Sequence, residues 1–241
     1  MCPDSEGRVW TDEGFATDEE GVYSLNNICV TGCVATAMAQ MLYYYHKNPN
    51  LPSTFPALDG YETRTYGWSM KALPATTFDW DAMKLSYNGN ETDASATAIA
   101  TLMRYCGQSV SMNYSLGASE TSVDPLVLMN VFGFSKNIRQ LYRDVYTTSQ
   151  WEEIIYAELE AKRPVFYSGQ ADDGGHQFIV DGYDGNGLFH MNWGWGGFHD
   201  DEYFVLSLAD PDGQGIGGSA TNRAFQFRQD ALIGVEPGSS E

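Results

Sequence analysis

An α+β fold is what this sequence predicts, and two patterns along it say so. Up to Arg163 the apolar side chains recur at helical spacing in several separate stretches. From Pro164 onward the spacing changes to short strands cut by glycine-rich turns. Helices first and strands after, in one chain of 241 residues, is the segregated α+β arrangement. The expectation is a single domain over 1–241 with two halves, mainly helical over 26–162 and mainly β over 163–235, sharing a cleft. No internal repeat is visible, and low complexity is confined to the Gly-Ser tail at Gly238–Glu241.

Residues 1–25 are polar and weakly patterned, with Trp10, Phe15 and Tyr23 as isolated anchors, and read as an extended arm. The first strong helix begins near Cys33. Val34, Ala37, Met38, Met41, Leu42 and Tyr45 make one apolar face, and Gly32 breaks the chain just before it. The stretch 48–69, with Pro49, Pro52 and Pro56, reads as loop, and Tyr61, Tyr66 and Trp68 offer it a hydrophobic rim. Asp93 is the expected cap of a second helix that buries Ile99, Leu102, Met103 and Cys106 and stops at Gly107. Asp124-Pro125 opens a third, with Gly133 past its end. Ser149-Gln150-Trp151-Glu152 matches a capping box for a fourth, whose buried face is Trp151, Ile154, Ile155 and Leu159. Five strands follow: Val165–Ser168, Gln177–Tyr183, Leu188–Trp193, Glu202–Leu208 and Ala224–Val235.

Composition narrows the function. Hydrophobic residues at 43% and aromatics at 14% are ample for a core. The formal charge of −19, from 13 basic against 32 acidic residues, argues against nucleic acid or an anionic membrane as partner. No run of 18 apolar residues exists to span a bilayer. Met1-Cys2-Pro3-Asp4-Ser5-Glu6 does not read as a signal peptide. Cys29 and Cys33 lack the further ligands a zinc site needs, and no metal or cofactor is expected. Asp181–Gly187 has the flavour of a calcium loop but no glutamate at the twelfth position, so a hairpin turn is the reading.

Chemistry concentrates at two points. Cys33 stands at the start of an apolar helix, where unpaired N–H groups and the positive end of the helix dipole favour a thiolate. A small buried cysteine at a helix start is the alternative reading of that residue taken alone. A thiolate nucleophile needs an imidazole to take its proton and later return it, usually from a residue remote in sequence. Gly174-Gly175-His176 supplies a sterically open histidine at the start of a strand. A turn at Asp184-Gly185-Asn186-Gly187 brings the strand ending Asn192-Trp193-Gly194-Trp195-Gly196-Gly197 beside it. His176 and Asn192 then lie side by side, with Trp193 next along the strand. Trp193 and Trp195 shield the imidazole from water, which strengthens its electrostatic interactions.

Thr31-Gly32-Cys33-Val34-Ala35-Thr36-Ala37-Met38-Ala39-Gln40, Gly174-Gly175-His176 and Asn192-Trp193-Gly194-Trp195-Gly196-Gly197, in that order, resemble the streptopain family of papain-like bacterial cysteine peptidases, which includes the interpains. The likeness runs from about Asn26 to Gly234. It implies a papain-like fold with the Cys33 helix packed against the β half. It also implies a secreted endopeptidase acting on proteins or peptides, with Cys33 as nucleophile and His176 as general base and acid. Papain-like enzymes use an asparagine to hold the imidazole ring, a place that either Asn192 or Trp193 takes here. Papain-like enzymes carry a glutamine six positions before the cysteine; Asn27 stands there instead, either donating to the oxyanion or supporting the loop. Gly175, Trp195 and the glycine-rich flap around Gly217 are the implied substrate contacts. The resemblance further implies an inhibitory propeptide in the precursor, with propeptide and signal peptide absent from this sequence, and a preference for an apolar side chain beside the scissile residue. Two alternatives stay open: a papain-like amidase or acyltransferase on cell-wall peptides or amino-acid conjugates, and an inactive surface binding module on the same fold.

Overall fold

The computed structural model describes residues 29–87, 89–115, 118–197, 199, 202–213 and 223–238. The chain divides into two compact units, Met1–Gly133 and Phe134–Glu241.

In the first unit, helix α1 (Cys33–Tyr45) buries the expected face and also Ala35 and Ala39. Its small residues allow close approach of its neighbours, and it packs against α2 (Asp93–Ser109). The cap of α2 is Thr92, whose hydroxyl accepts from the Ser95 N–H, while Asp93 sits in the first turn and complements the helix dipole. Its buried face is also rotated from the expected one: Ala98, Leu102, Tyr105 and Cys106 lie inward, with Ile99 and Met103 only half-buried. The helix runs through Gly107 to Ser109 because that glycine is a packing site, not a stop: a Cβ there would lie 2.0 Å from the buried Tyr114 hydroxyl. Helix α3 (Pro125–Asn130) starts as expected, with the Asp124 carboxylate accepting from Leu126 N–H and Pro125 at the first position. The proline-rich stretch holds a small hairpin that strand patterning did not reveal, β1 (Tyr61–Glu62) against β2 (Ser69–Met70). Phe55, Phe78, Tyr105 and Phe132 form the aromatic centre of this unit.

The second unit is an antiparallel sheet of six strands: β3 (Arg139–Tyr142), β4 (Val165–Ala171), β5 (Gly174–Tyr183), β6 (Phe189–Asn192), β7 (Tyr203–Phe204) and β8 (Phe227–Ile233). Their order is β3-β8-β4-β5-β6-β7. Strand β3 was unforeseen because its residues are mostly exposed, so no alternation marks it; pairing with β8 makes it a strand. The expected Glu202–Leu208 strand shrinks to two residues, since 206–208 form a turn. Helix α4 (Thr148–Glu160), assigned by sequence to the helical half, packs on β4 and β5. Its capping box lies two residues earlier than expected: Thr147 accepts from Gln150 N–H while Gln150 accepts from Thr147 N–H. Trp151, Tyr167, Phe178, Val180, Met191, Trp193 and Phe204 are the heart of this core.

Gly107→Ala tests packing against propensity. Alanine favours a helix by about 1 kcal/mol over glycine, but the clash with Tyr114 costs about 1–3 kcal/mol. Urea unfolding should show net destabilisation that Tyr114→Phe in the same chain largely relieves.

Candidate active site

Cys33 is the first residue of α1, and Gly32 before it adopts φ 89°, ψ 142°. That left-handed φ suits glycine, and the space also requires it: a Cβ would meet Met112 Cε at 2.9 Å and the Ser119 carbonyl at 3.1 Å. The strand-like approach is held by Val30 N–H donating to Ser115 O at 3.2 Å and by the Ser119 hydroxyl donating to Val30 O. No acidic residue occupies the first turn of α1, so the dipole's positive end is not offset there. Cys33 is partly exposed, whereas Cys29 and Cys106 are buried. Burial pushes the Cys29 thiol up to about 12 and the Cys106 thiol up as well, which leaves both inert at neutral pH.

His176 lies in the second unit as the third residue of β5, 8% exposed. Its Nε2 is 2.8 Å from the Trp193 carbonyl oxygen. A carbonyl only accepts, so Nε2 carries the proton and the neutral ring keeps its lone pair on Nδ1. Aromatic rings surround the imidazole: Trp195 at 4.7 Å, Phe225 at 5.2 Å, Phe178 at 5.9 Å and Trp193 at 6.3 Å between centroids. Removal from water lowers its pKa to about 4, against an upward pull from the Trp193 carbonyl.

The strand register decides which neighbour holds the ring. Asn192 pairs with Ile179, three positions beyond His176, and directly paired residues share a face. Along β5 His176 and Phe178 point one way and Ile179 the other, so Asn192 sits on the opposite face from His176. Its Oδ1 accepts from Gly194 N–H and shapes the turn. Trp193, one residue on, returns to the imidazole's side. The expected side-by-side placement of His176 and Asn192 is therefore replaced by a main-chain contact to Trp193. Gly175 is exposed next to His176, and a Cβ on it would crowd the Gln170 amide at 2.4 Å. Trp195 stacks on His176, and the Arg223 guanidinium lies 5.8 Å from the Trp195 ring. Asn27 and Gly217 lie outside the described residues.

Phe178 and Phe225 were not foreseen as site residues. Phe178 was accessible from the two-residue period of its strand. Phe225 carries no local signal, since it precedes β8 and reaches the ring only through the tertiary fold. The Asp184–Gly187 segment is a hairpin turn: the Asp184 carboxylate accepts from Asn186 and Leu188 N–H groups at 2.7 and 3.0 Å. No group of three or more metal-ligating side chains occurs among the described residues. No helix of the described residues is long and apolar enough to cross a membrane.

Residues 15–204 match the Peptidase C10 family. The chain belongs to that family. It is 34% identical over 221 residues to streptopain of Streptococcus pyogenes, covering 86% of this chain and 52% of that protein. It is 32% identical to the thiol protease/hemagglutinin PrtT of Porphyromonas gingivalis, over 88% of this chain and 24% of that one. The chain thus spans about half the length of streptopain and about a quarter of PrtT. Among solved structures it is similar to active wild-type interpain A cysteine protease of Prevotella intermedia, with TM-score 0.73, 31% identity and 89% and 87% of the two chains covered. A prointerpain A fragment from the same organism superposes with TM-score 0.69, 30% identity and 91% and 67% coverage. These likenesses make the α+β fold papain-like.

The buried imidazole predicts an acid-sensitive fold. With the folded pKa near 4 and an unfolded value near 6.5, the unfolded chain binds the proton first. This group's contribution is intact above about pH 6.5 and lost as pH falls toward 4, by roughly 3 kcal/mol in all. Urea titrations of a Cys33→Ser protein from pH 7.5 to 4 should show that loss, and adding His176→Gln should remove this component.

Proposed function

We propose that this chain is a cysteine endopeptidase that hydrolyses peptide bonds of proteins, with Cys33 as nucleophile and His176 as general base and acid. The observation that carries the reading is the tautomer imposed on His176 by the Trp193 carbonyl, which leaves Nδ1 as the proton acceptor. Membership of a peptidase family and likeness to thiol proteases support it.

Nδ1 takes the Cys33 thiol proton and the thiolate attacks the scissile carbonyl, forming a C–S bond and an oxyanion. The Cys33 backbone N–H and the Asn27 amide stabilise that oxyanion. Collapse breaks the C–N bond while the imidazolium protonates the departing amine. Water, deprotonated by Nδ1, then cleaves the thioester and releases the acid. Burial disfavours the imidazolium by roughly 3 kcal/mol. A thiolate at an ion-pair distance of about 4 Å supplies about 4 kcal/mol at an effective dielectric constant near 20. The attraction offsets the burial penalty on the imidazolium, and ionisation of the thiol itself draws on the helix start at Cys33. Gly175, Trp195 and Gly217 contact substrate in this reading. Secretion and synthesis as a propeptide-inhibited precursor belong to the same proposal, the second supported by the likeness to the prointerpain fragment.

Cys33→Ala and His176→Ala should each abolish cleavage of a denatured protein, measured by release of soluble peptides, with circular dichroism showing that each variant still folds. Full activity in the Cys33 variant overturns the proposal. Asn27→Ala should lower kcat by roughly 10²–10³-fold with the fold unchanged; an unchanged rate removes it from the oxyanion site. Iodoacetamide should alkylate Cys33 faster than Cys29 or Cys106 in the native protein, as read by peptide mass spectrometry, and equal rates would argue against an activated thiol.

A further inference from the structure

Phe225 forms one wall of the imidazole's surroundings, yet it belongs to no strand. The β4–β8 ladder is irregular between Ser168 and Gln170. Gly169 lies at that point, in register with His176 on the neighbouring strand. The Phe225 main chain occupies the room Gly169 leaves: a Cβ there would stand 2.1 Å from Phe225 O and 2.9 Å from Phe225 Cβ. The segment before β8 thus leaves the sheet beside Gly169, and the Phe225 ring comes to rest 5.2 Å from the imidazole.

A segment off the ladder needs other hydrogen bonds to stay in place. Phe225 N–H donates to Ala209 O at 3.0 Å. The remaining anchor is Gln229, 2% exposed. Its amide nitrogen donates to Phe225 O at 3.0 Å and shares its hydrogens with Leu206 O and Ser207 O, both at 3.3 Å. Its Oε1 accepts from the Tyr167 hydroxyl at 3.0 Å, which in turn accepts from Trp151 Nε1–H at 2.8 Å. Tyr167 and Trp151 are fully buried. The amide therefore joins helix α4, strand β4 and the 206–209 turn to the carbonyl of the residue against the imidazole. A buried neutral amide with every donor and acceptor engaged has one low-energy orientation, and breaking any member leaves a buried polar group unpaired.

We propose that Gln229 is a positioning residue for His176, holding Phe225 against the imidazole through the Phe225 carbonyl. It touches neither substrate nor the reacting atoms. Its effect is exclusion of water from the ring. Among the described residues, the charged and titratable groups around His176 are few. Arg223 sits over the Trp195 ring and pairs with Asp212 at 3.2 Å, and the Tyr167 hydroxyl is kept protonated by burial. Neither β5 nor the Trp193 segment directs a charged side chain at the ring among the described contacts. Desolvation thus dominates its titration, and loosening Phe225 should raise it.

The catalytic weight of this inference rests on the Cys33–His176 reading, but its test does not. In the full chain carrying Cys33→Ser, the His176 ring proton resonance, assigned by its loss in His176→Gln, is followed by NMR against pH. Phe225→Leu should raise the midpoint by roughly one pH unit. Gln229→Met, which keeps the shape and removes the amide, should produce a shift of the same sign. The double variant should shift less than the sum, because both changes act on one wall. Gln229→Asn, one methylene shorter, serves in the same way if the methionine variant does not fold. A Gln229 variant that folds, loses stability and leaves the His176 midpoint where it was overturns the proposal and makes Gln229 purely structural. Upward movement in step with Phe225→Leu supports it, whether or not the Cys33 protein cleaves peptides.

Discussion

The hydrogen bond from His176 Nε2 to the Trp193 carbonyl sets the chemistry available to the second unit. It selects one tautomer, points Nδ1 away from the backbone and ties the imidazole to the turn after β6. A main-chain acceptor has a consequence that a side-chain amide would not. A carbonyl cannot rotate to offer a donor, so the tautomer holds as long as the turn does. The turn itself is secured by Asn192, whose side chain accepts from Gly194 N–H.

Around that bond, the aromatic rings exert an influence that runs against simple ionisation. They lower the affinity of His176 for a proton, and an anion brought to it would raise that affinity again. A neutral base that becomes charged on taking the proton of a thiol is suited to repeated transfer in both directions. The same rings are part of the hydrophobic core of the sheet, so stability and basicity are carried by one cluster.

The thiol end is built differently. Backbone geometry governs it: a glycine at positive φ, a main-chain bond from Val30 to Ser115, and a helix start with no acidic residue in its first turn. Met112 and Ser119 close over Gly32 so tightly that a side chain there would displace them. A rigid approach of this kind fixes where the first N–H groups of α1 point, and those donors are what a helix start offers an anion.

Much of this was legible in the amino-acid order. The apolar faces of α1 and α4, the start of α3, the β5–β6 hairpin turn and the Cys33, Gly-Gly-His176 and Asn192-Trp193 motifs all follow from local periodicity, capping and turn chemistry, which act over a few residues. Local pattern also misplaced some details by a residue or two, as with Thr92 and Thr147, because several adjacent residues can cap and only the three-dimensional path of the chain selects one. Strand β3, the off-sheet course of Phe225 and the face on which Asn192 lies had no such signal. They depend on register between segments far apart in sequence, where a shift of one residue turns a side chain to the other side of the sheet. The sequence by itself determined that a cysteine opens the first helix and that a histidine follows two glycines at the start of a strand, since residue type and helix or strand context suffice for that. Tertiary structure alone decided which atom holds the imidazole and which rings keep water from it, because those contacts arise from strand pairing and packing across the whole unit.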